Sequence, residues 1–358
     1  MSTLEGWEGW EGWEGWEGWE GWEGWGAGQG GSAGPGWLAR QRSRDFLVYG
    51  ASPAASAPLR TWPGDPLAGV SAYARRQVVV MDLLAGVAVQ AAPGKFSLRR
   101  APAKGPKAKA FTLTLPKPAQ FYDELADVES WNRQRPERMP EILAQRSFNP
   151  GFWAAILPIS PRRTPRTLEL MTALVMASSF VIQQAKLAFN QPRPSELSPR
   201  IQPAIEVPGF SSFPSGHATQ ASLVSALLAE LVLPTLPPEW QPDVQNMLAA
   251  LALRVGQNRE VAGLHYPCDS TAGHALGTAL LACWRPGGAG QTGEGLTEAS
   301  MPPAKRAKSA AASATGSVTS SATSSATSST ASSATSSAAA RPAPIAWLWR
   351  QAAAEWAA

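Results

Sequence analysis

The stretch PRTLELMTALVMASSFVIQQAKLAFNQPRP at residues 165–194 sets the fold class of this chain. Its apolar residues recur every three or four positions and form a stripe wide enough to be buried on several sides. We predict one long core helix over 165–189, which ends in a loop stiffened by Pro192 and Pro194. The residues that mark the buried stripe are Leu170, Met171, Leu174, Val175, Val181 and Ile182.

The segments around this helix repeat its pattern. Apolar residues at helical spacing, separated by proline-containing loops, predict further helices over 118–134, 138–146, 217–233, 242–257 and 270–284. A helix is also expected at 71–91, a short strand at 110–115, and a solvated loop at the basic run 95–109. Several long helices with little strand between them indicate an all-α helical bundle.

Composition divides the chain into five parts. We predict a disordered tail and Gly-rich linker at 1–36, an irregular extension at 37–109, a helical catalytic domain at 110–285, a disordered Ala/Ser/Thr-rich linker at 286–344 and a short amphipathic helix at 345–358. The first tail contains seven Glu-Gly-Trp copies over residues 5–25. Their tryptophans are numerous enough to favour self-association, although neutral expansion of a short repeat explains them more simply.

Charge and cysteine content limit the kinds of ligand and fold that the sequence favours. The net charge is +4, and residues 1–25 hold seven Glu without Lys or Arg, so the remainder carries +11. This excess favours an anionic ligand or surface, and solubility explains it equally well. Two cysteines exclude a disulfide framework. We find no signal peptide and no uninterrupted apolar span, so we expect a soluble protein without a membrane span or nucleic-acid partner, and its compartment stays open.

Three segments carry residue types that bind oxyanions, in the order K-x6-R-P, P-S-G-H and R-x5-H-x3-D. Lysine and arginine supply charge, and the start of helix 217–233 supplies free backbone N–H groups. The glycine lets an anion approach the backbone, and the serine hydroxyl adds a donor. The candidate anion-binding residues are Lys186, Arg193, Ser215, Gly216 and Arg259.

Two of the three histidines in the chain lie in the same segments. His217 and His265 are candidates to attack phosphorus, ligate a metal oxyanion or transfer a proton, and Asp269 is spaced to orient His265. Taken singly, each residue has a structural explanation, such as a helix cap for Ser215 or Asp269. Their ordered combination favours a site, whereas His274 is interpreted as a packed histidine outside it.

This ordered set resembles the superfamily that joins type-2 phosphatidic acid phosphatases, bacterial acid phosphatases and vanadium-dependent haloperoxidases. The resemblance covers roughly residues 110–285 and implies their helical-bundle fold. It also implies that His217 is the general acid–base, that Asp269 orients His265, and that His265 is either the phosphate nucleophile or the vanadium ligand. One departure is Asn258, where many members have serine, although asparagine can still donate a hydrogen bond.

Within the superfamily, the sequences of residues 208–219 and 258–267 are most similar to those of soluble bacterial proteins grouped with the haloperoxidases. Phe210 stands where those proteins place a residue lining the halide side. The first expectation is therefore a vanadate-dependent haloperoxidase that oxidises halide with hydrogen peroxide. One alternative is a soluble acid phosphatase that needs no cofactor and hydrolyses phosphate monoesters through a phosphohistidine. Another is a non-catalytic binding or assembly protein with a relic pocket.

Overall fold

The computed structural model describes residues 65–101, 110–287 and 343–357. Within these ranges the helices are α1 Pro66–Gly69, α2 Ala72–Ala85, α3 Pro118–Trp131, α4 Arg135–Ala144, α5 Gly151–Ala154, α6 Pro165–Phe189, α7 Pro194–Leu197, α8 Gly216–Val232, α9 Gln241–Val261, α10 Pro267–Trp284 and α11 Pro344–Ala354. The strands are β1 Val87–Ala92, β2 Lys95–Arg100 and β3 Phe111–Thr114.

The predicted all-α class is confirmed. Helix α6 has the predicted limits, and α8, α9 and α10 begin one to three residues before the predicted positions. Helix α6 is buried along most of its length, with Leu170, Met171 and Leu174 fully inaccessible to solvent. Helix α8 packs against α6, α9 and α10 and occupies the centre of the bundle.

Two glycines set the spacing between α8 and α10. A Cβ atom added at Gly273 would lie 2.5 Å from the carbonyl oxygen of Ser215, and one at Gly277 would lie 2.3 Å from that of Thr219. No side chain fits at such distances, so glycine is required for this close approach. The contact places the beginning of α8 directly beside the first turns of α10.

The predicted helix over 71–91 is wrong for residues 86–91. Helix α2 ends at Ala85, and β1 pairs antiparallel with β2, which pairs with β3. The turn from β1 to β2 contains Pro93 and Gly94, and Gly94 adopts a φ of 71° that few other residues tolerate. The valines near position 87 suit a strand as well as a helix, so hydrophobicity alone did not reveal this boundary.

The basic run at 95–109 was predicted to be a solvated loop, and this is wrong for its first six residues. Lys95–Arg100 form β2, whose Phe96 and Leu98 are fully buried and alternate with Lys95, Ser97 and Arg99. Residues 102–109 lie outside the described part of the chain. The predicted strand at 110–115 is confirmed by β3.

The described residues of the predicted extension share one core with the bundle. Val79, Leu83 and Phe96 belong to the same buried cluster as α6 and α8, and the indole of Trp284 donates a hydrogen bond of 2.8 Å to the carbonyl of Leu83. The five-part division itself stays a prediction. The Glu-Gly-Trp repeat and most of the Ala/Ser/Thr-rich segment lie outside the described residues.

Two helical segments of the described chain, Pro165–Leu197 and Gly216–Thr235, are long and apolar enough to cross a membrane by length and composition alone. Their most apolar windows are 72% and 61% buried inside the protein. Core helices of proteins that never enter a membrane have the same properties, so this is weak evidence for a membrane span.

Helix α11 returns to the beginning of α6 and caps it. The carboxylate of Glu355 accepts hydrogen bonds from the backbone N–H groups of Arg166 (2.6 Å) and Thr167 (2.8 Å). The preceding Thr164 makes no side-chain cap bond, so Glu355 satisfies donors that a capping residue usually satisfies. Trp347 is buried nearby, and the guanidinium groups of Arg75 and Arg166 lie 5.5 Å and 5.6 Å from the centre of its ring.

We expect Glu355→Ala to lower the free energy of unfolding by about 1–2 kcal/mol, because it removes a carboxylate from a helix N-terminus. Glu355→Gln retains one acceptor oxygen and should lose less. Chemical denaturation monitored by circular dichroism measures both. The matched control is Glu239→Ala, which removes an exposed glutamate. Equal stability of Glu355→Ala and the control would show that the cap contributes nothing.

Candidate active site

Lys186 lies near the end of α6, and its side chain is buried in the protein interior. Asn190 adopts a left-handed conformation (φ 45°), and its N–H donates to the carbonyl of Lys186 at 2.9 Å, which ends the helix. The Lys186 ammonium is only 2% exposed and donates to the carbonyls of Ser211 (2.6 Å) and Ser212 (3.0 Å). The lysine thus connects α6 to the loop that precedes α8.

Arg193 connects all three predicted segments. Its Nε donates to the carbonyl of Phe210 at 3.1 Å, and its Nη1 donates to the carbonyl of Leu264 at 2.9 Å. Phe210 belongs to the second segment and Leu264 to the third. The remaining nitrogen, Nη2, is buried and has no hydrogen-bond partner among the described residues.

Arg259, near the end of α9, is fully buried. Its Nη2 donates to the carbonyl of Ile142 at 2.7 Å, while Nε and Nη1 are buried without a partner in the described structure. Burial lowers the pKa of Arg259 to about 10, so the group stays charged at neutral pH. Together with Nη2 of Arg193, two arginines present three unsatisfied N–H-bearing nitrogens, the donors that a tetrahedral oxyanion can satisfy.

The start of α8 adds backbone donors. Ser215 is fully buried and caps the helix, with its hydroxyl oxygen accepting from the N–H of Ala218 at 3.4 Å. Its own hydroxyl proton is therefore free to be donated. A Cβ at Gly216 would meet only Ile182, at an ordinary 3.8 Å, so packing against the protein does not require glycine here. Glycine at this position instead leaves room for an anion to approach the N-terminus of the helix closely.

His265 and Asp269 meet as the spacing predicts. Nδ1 of His265 lies 2.9 Å from Oδ2 of Asp269, and this oxygen also accepts from the N–H of Tyr266 (3.0 Å) and from the hydroxyl of Ser212. The backbone carbonyl of Asp269 accepts from the N–H of Ser215 at 2.9 Å. A proton held on Nδ1 leaves Nε2 of His265 with a free lone pair.

Electrostatics show that the three cations converge on His265. Burial lowers the pKa of His265 well below its usual range, and the charges of Arg193, Lys186 and Arg259 lower it further. The imidazole is therefore neutral at pH 7. Burial raises the pKa of Asp269 to about 6, although its hydrogen bonds and the nearby cations favour the charged carboxylate. Lys186, Arg193, Arg259, His265 and Asp269 therefore share one strongly positive environment.

His217 borders the same charge cluster, since Arg259 and His265 both act on its imidazole. Burial, and secondly the charge of Arg259, lowers the pKa of His217 to about 3. Its Nε2 is 3.2 Å from the carbonyl oxygen of Arg146, in the loop between α4 and α5. The half-buried ring therefore adjoins both the anion-binding donors and an open cleft.

Phe210 lies against two of the cations. Its ring centre is 5.0 Å from Nζ of Lys186 and 5.2 Å from the guanidinium carbon of Arg193. Such contacts stabilise cations that are poorly solvated. The predicted position at the edge of the site agrees with this placement, and its role as a residue that lines the substrate stays a prediction.

Sequence analysis did not single out Ser212, which bonds Asp269 and lies 3.3 Å from Nδ1 of His265. Its only signal was its place two residues before Pro214. The side chain of Asn258 is used within the protein, since it donates to Gln145 at 2.8 Å and accepts from Arg138 at 3.1 Å. His274 pairs with the hydroxyl of Ser222 at 2.7 Å, away from the residues above, as expected of a packed histidine.

Comparison with known proteins relates the helical part of the chain to a known superfamily. The family description "PAP2 superfamily" matches residues 167–287, and this segment is a domain of that superfamily. The chain is 27% identical over 144 residues to the non-specific acid phosphatase of Salmonella typhimurium and 26% identical over the same length to that of Salmonella typhi. Each match covers 38% of this chain and 52% of the relative, so the chain spans about half the length of these curated relatives.

Glu260, next to Arg259, makes the stability of the folded protein depend on pH. Burial raises the pKa of this carboxyl from 4.5 to about 7. Because the folded-state pKa is raised, the neutral form stabilises the fold at low pH, and this stabilisation is lost as the pH rises through about 7.

Glu260→Gln keeps the side chain neutral at every pH. We expect the variant to gain stability relative to the parent as the pH rises from about 4.5 to about 8, by a difference on the order of 3 kcal/mol. Urea denaturation at both ends of this range gives the difference. A gap between variant and parent that does not change with pH would refute the assignment of the buried, titrating carboxyl.

Proposed function

We propose that this protein is a phosphatase that hydrolyses phosphate monoesters, and its similarity to two proteins named non-specific acid phosphatases supports this proposal. The observation that carries the proposal is the cluster of three buried cations around His265, with unpaired guanidinium nitrogens on Arg193 and Arg259. A phosphate group supplies both the negative charge and the acceptor oxygens that these donors lack. The helix N-terminus at Ser215 and Gly216 adds to the same attraction.

In the first chemical step, Nε2 of His265 attacks phosphorus. A P–N bond forms as the bond from phosphorus to the ester oxygen breaks, and Asp269 stabilises the imidazolium that results. His217 donates a proton to the departing oxygen, which leaves as an alcohol. The cations bind the three remaining oxygens, whose charge is largest in the transition state.

In the second step, water attacks the phosphorylated His265. His217, now neutral, accepts a proton from the water, the P–N bond breaks, and inorganic phosphate is released. The pKa of about 3 in the free protein makes His217 a weak base, and a bound phosphate dianion raises that pKa because it offsets the charge of Arg259. Ester binding and protonation of the site are therefore coupled.

The haloperoxidase hypothesis uses the same residues. Vanadate is a tetrahedral oxyanion with the shape of phosphate, so the same donors fit it, and His265 offers the imidazole that ligates vanadium. Bound vanadate would activate peroxide for halide oxidation. The matches to acid phosphatases favour the phosphatase, and the comparisons offer no corresponding support for vanadium or halide chemistry.

One experiment separates the two. Purified protein is given p-nitrophenyl phosphate without vanadate, and in parallel vanadate, hydrogen peroxide and bromide. We expect ester hydrolysis, a phosphoenzyme stable to alkali and labile to acid, and a loss of at least about 10³-fold in kcat for His265→Ala. Arg200→Ala, at a largely exposed arginine, is the control. Bromination without hydrolysis would overturn the proposal.

A second prediction concerns His217. Because the leaving oxygen needs a proton in the first step, His217→Ala should lower kcat/KM, which reports that step and not the later attack of water, by about 10²–10⁴-fold for an alkyl phosphate and much less for dinitrophenyl phosphate. For the parent protein, kcat/KM should fall as the pH rises from about 5 to about 8, since proton uptake accompanies binding. Equal losses on both esters would show that His217 is not the proton donor.

A further inference from the structure

A cleft opens beside His217, the residue proposed to protonate the leaving oxygen of an ester. One wall consists of Phe148, in the loop between α4 and α5, and of Phe152 and Trp153 in α5; the first turns of α8 form the other wall, with His217 and Gln220. The contact between His217 Nε2 and the carbonyl of Arg146, at 3.2 Å, fixes this loop against the imidazole. The cleft is therefore continuous with the proposed site of proton donation.

The chemistry of the cleft differs sharply from that of the anion site. No Asp, Glu, Lys or Arg side chain is among the described residues that line it; apart from His217 they are aromatic, aliphatic, hydroxyl or amide. A charged or strongly hydrated group would lose water there without gaining an ionic partner. An uncharged apolar group gains contact with aromatic rings and leaves water.

The aromatic wall is anchored from behind. Trp153 is only 3% exposed, and its indole N–H donates to the hydroxyl of Ser225 in α8 at 2.9 Å. The ring of Phe148 lies 5.5 Å from that of Trp153 with an interplanar angle of 39°. Phe152 is half-buried, so part of its ring faces outward. Fixed rings bind a flat ligand with little loss of conformational entropy.

From this placement we infer that the cleft binds an aromatic leaving group, so that the protein acts on aryl phosphate monoesters in preference to small alkyl phosphates. The inference rests on the proposed function and adds the substrate class. The phosphoryl group occupies the cationic site, and the ring of the ester lies between His217 and Phe152. The same position brings the ester oxygen to the imidazole that protonates it.

The test uses two non-hydrolysable ligands with the same anionic group, phenylphosphonate and methylphosphonate, and inorganic phosphate as a probe of the anion site alone. Calorimetry should show phenylphosphonate binding about 3- to 10-fold more tightly than methylphosphonate. Phe152→Ala should abolish most of this preference while methylphosphonate affinity changes less than twofold. Phe180→Ala, at an aromatic residue of α6 that is 50% exposed and outside the cleft, is the matched control and should keep the preference.

Equal affinity of the parent protein for both phosphonates, or parallel losses for both in Phe152→Ala, would overturn the inference. Kinetics separate it from the proposed function. Hydrolysis of phenyl and ethyl phosphate with equal kcat/KM overturns the aryl preference and leaves the phosphatase in place. Selective phenylphosphonate binding without any ester hydrolysis supports the cleft and overturns the phosphatase. Failure of all three anions to bind overturns both.

Discussion

Three cationic side chains buried around one histidine are the feature that the rest of the described structure must support. Removing a charge from water is costly unless partners replace the hydration. Backbone carbonyls from distant parts of the chain provide part of that replacement for Lys186, Arg193 and Arg259, and Asp269 provides one opposite charge. The positive charge that remains attracts an anion. An anion that binds only the folded protein therefore stabilises it, and its affinity sets how much.

The bundle holds this charge cluster by close contact between helices. Gly273 and Gly277 let α10 approach the backbone of α8, so the helix N-terminus at Ser215 lies beside Asp269. A side chain at either glycine would separate the two segments that carry the histidines. Packing between these two helices therefore determines distances within the site, as expected of an interior with little free volume.

Much of this arrangement could be predicted from the sequence, and the successes and failures have physical causes. The limits of α6 followed from a helical period sustained over 25 residues, and the pairing of His265 with Asp269 followed from their i,i+4 spacing. The hairpin of β1 and β2 was missed because valine-rich segments suit both helix and strand. Ser212 was missed because its contacts depend on how a loop folds over α10, which no local pattern encodes.

The position of α11 has a consequence for synthesis of the chain. Roughly 60 residues separate Arg285, just after the bundle, from the helix whose Glu355 bonds the first turn of α6. At about 5–20 residues per second, a ribosome needs roughly 3–12 s to make that distance. Throughout this interval the nascent bundle has uncovered backbone donors at the start of its longest core helix, and exposed apolar surface where Trp347 and Leu348 later pack. The bundle can complete this surface only after translation has passed residue 355.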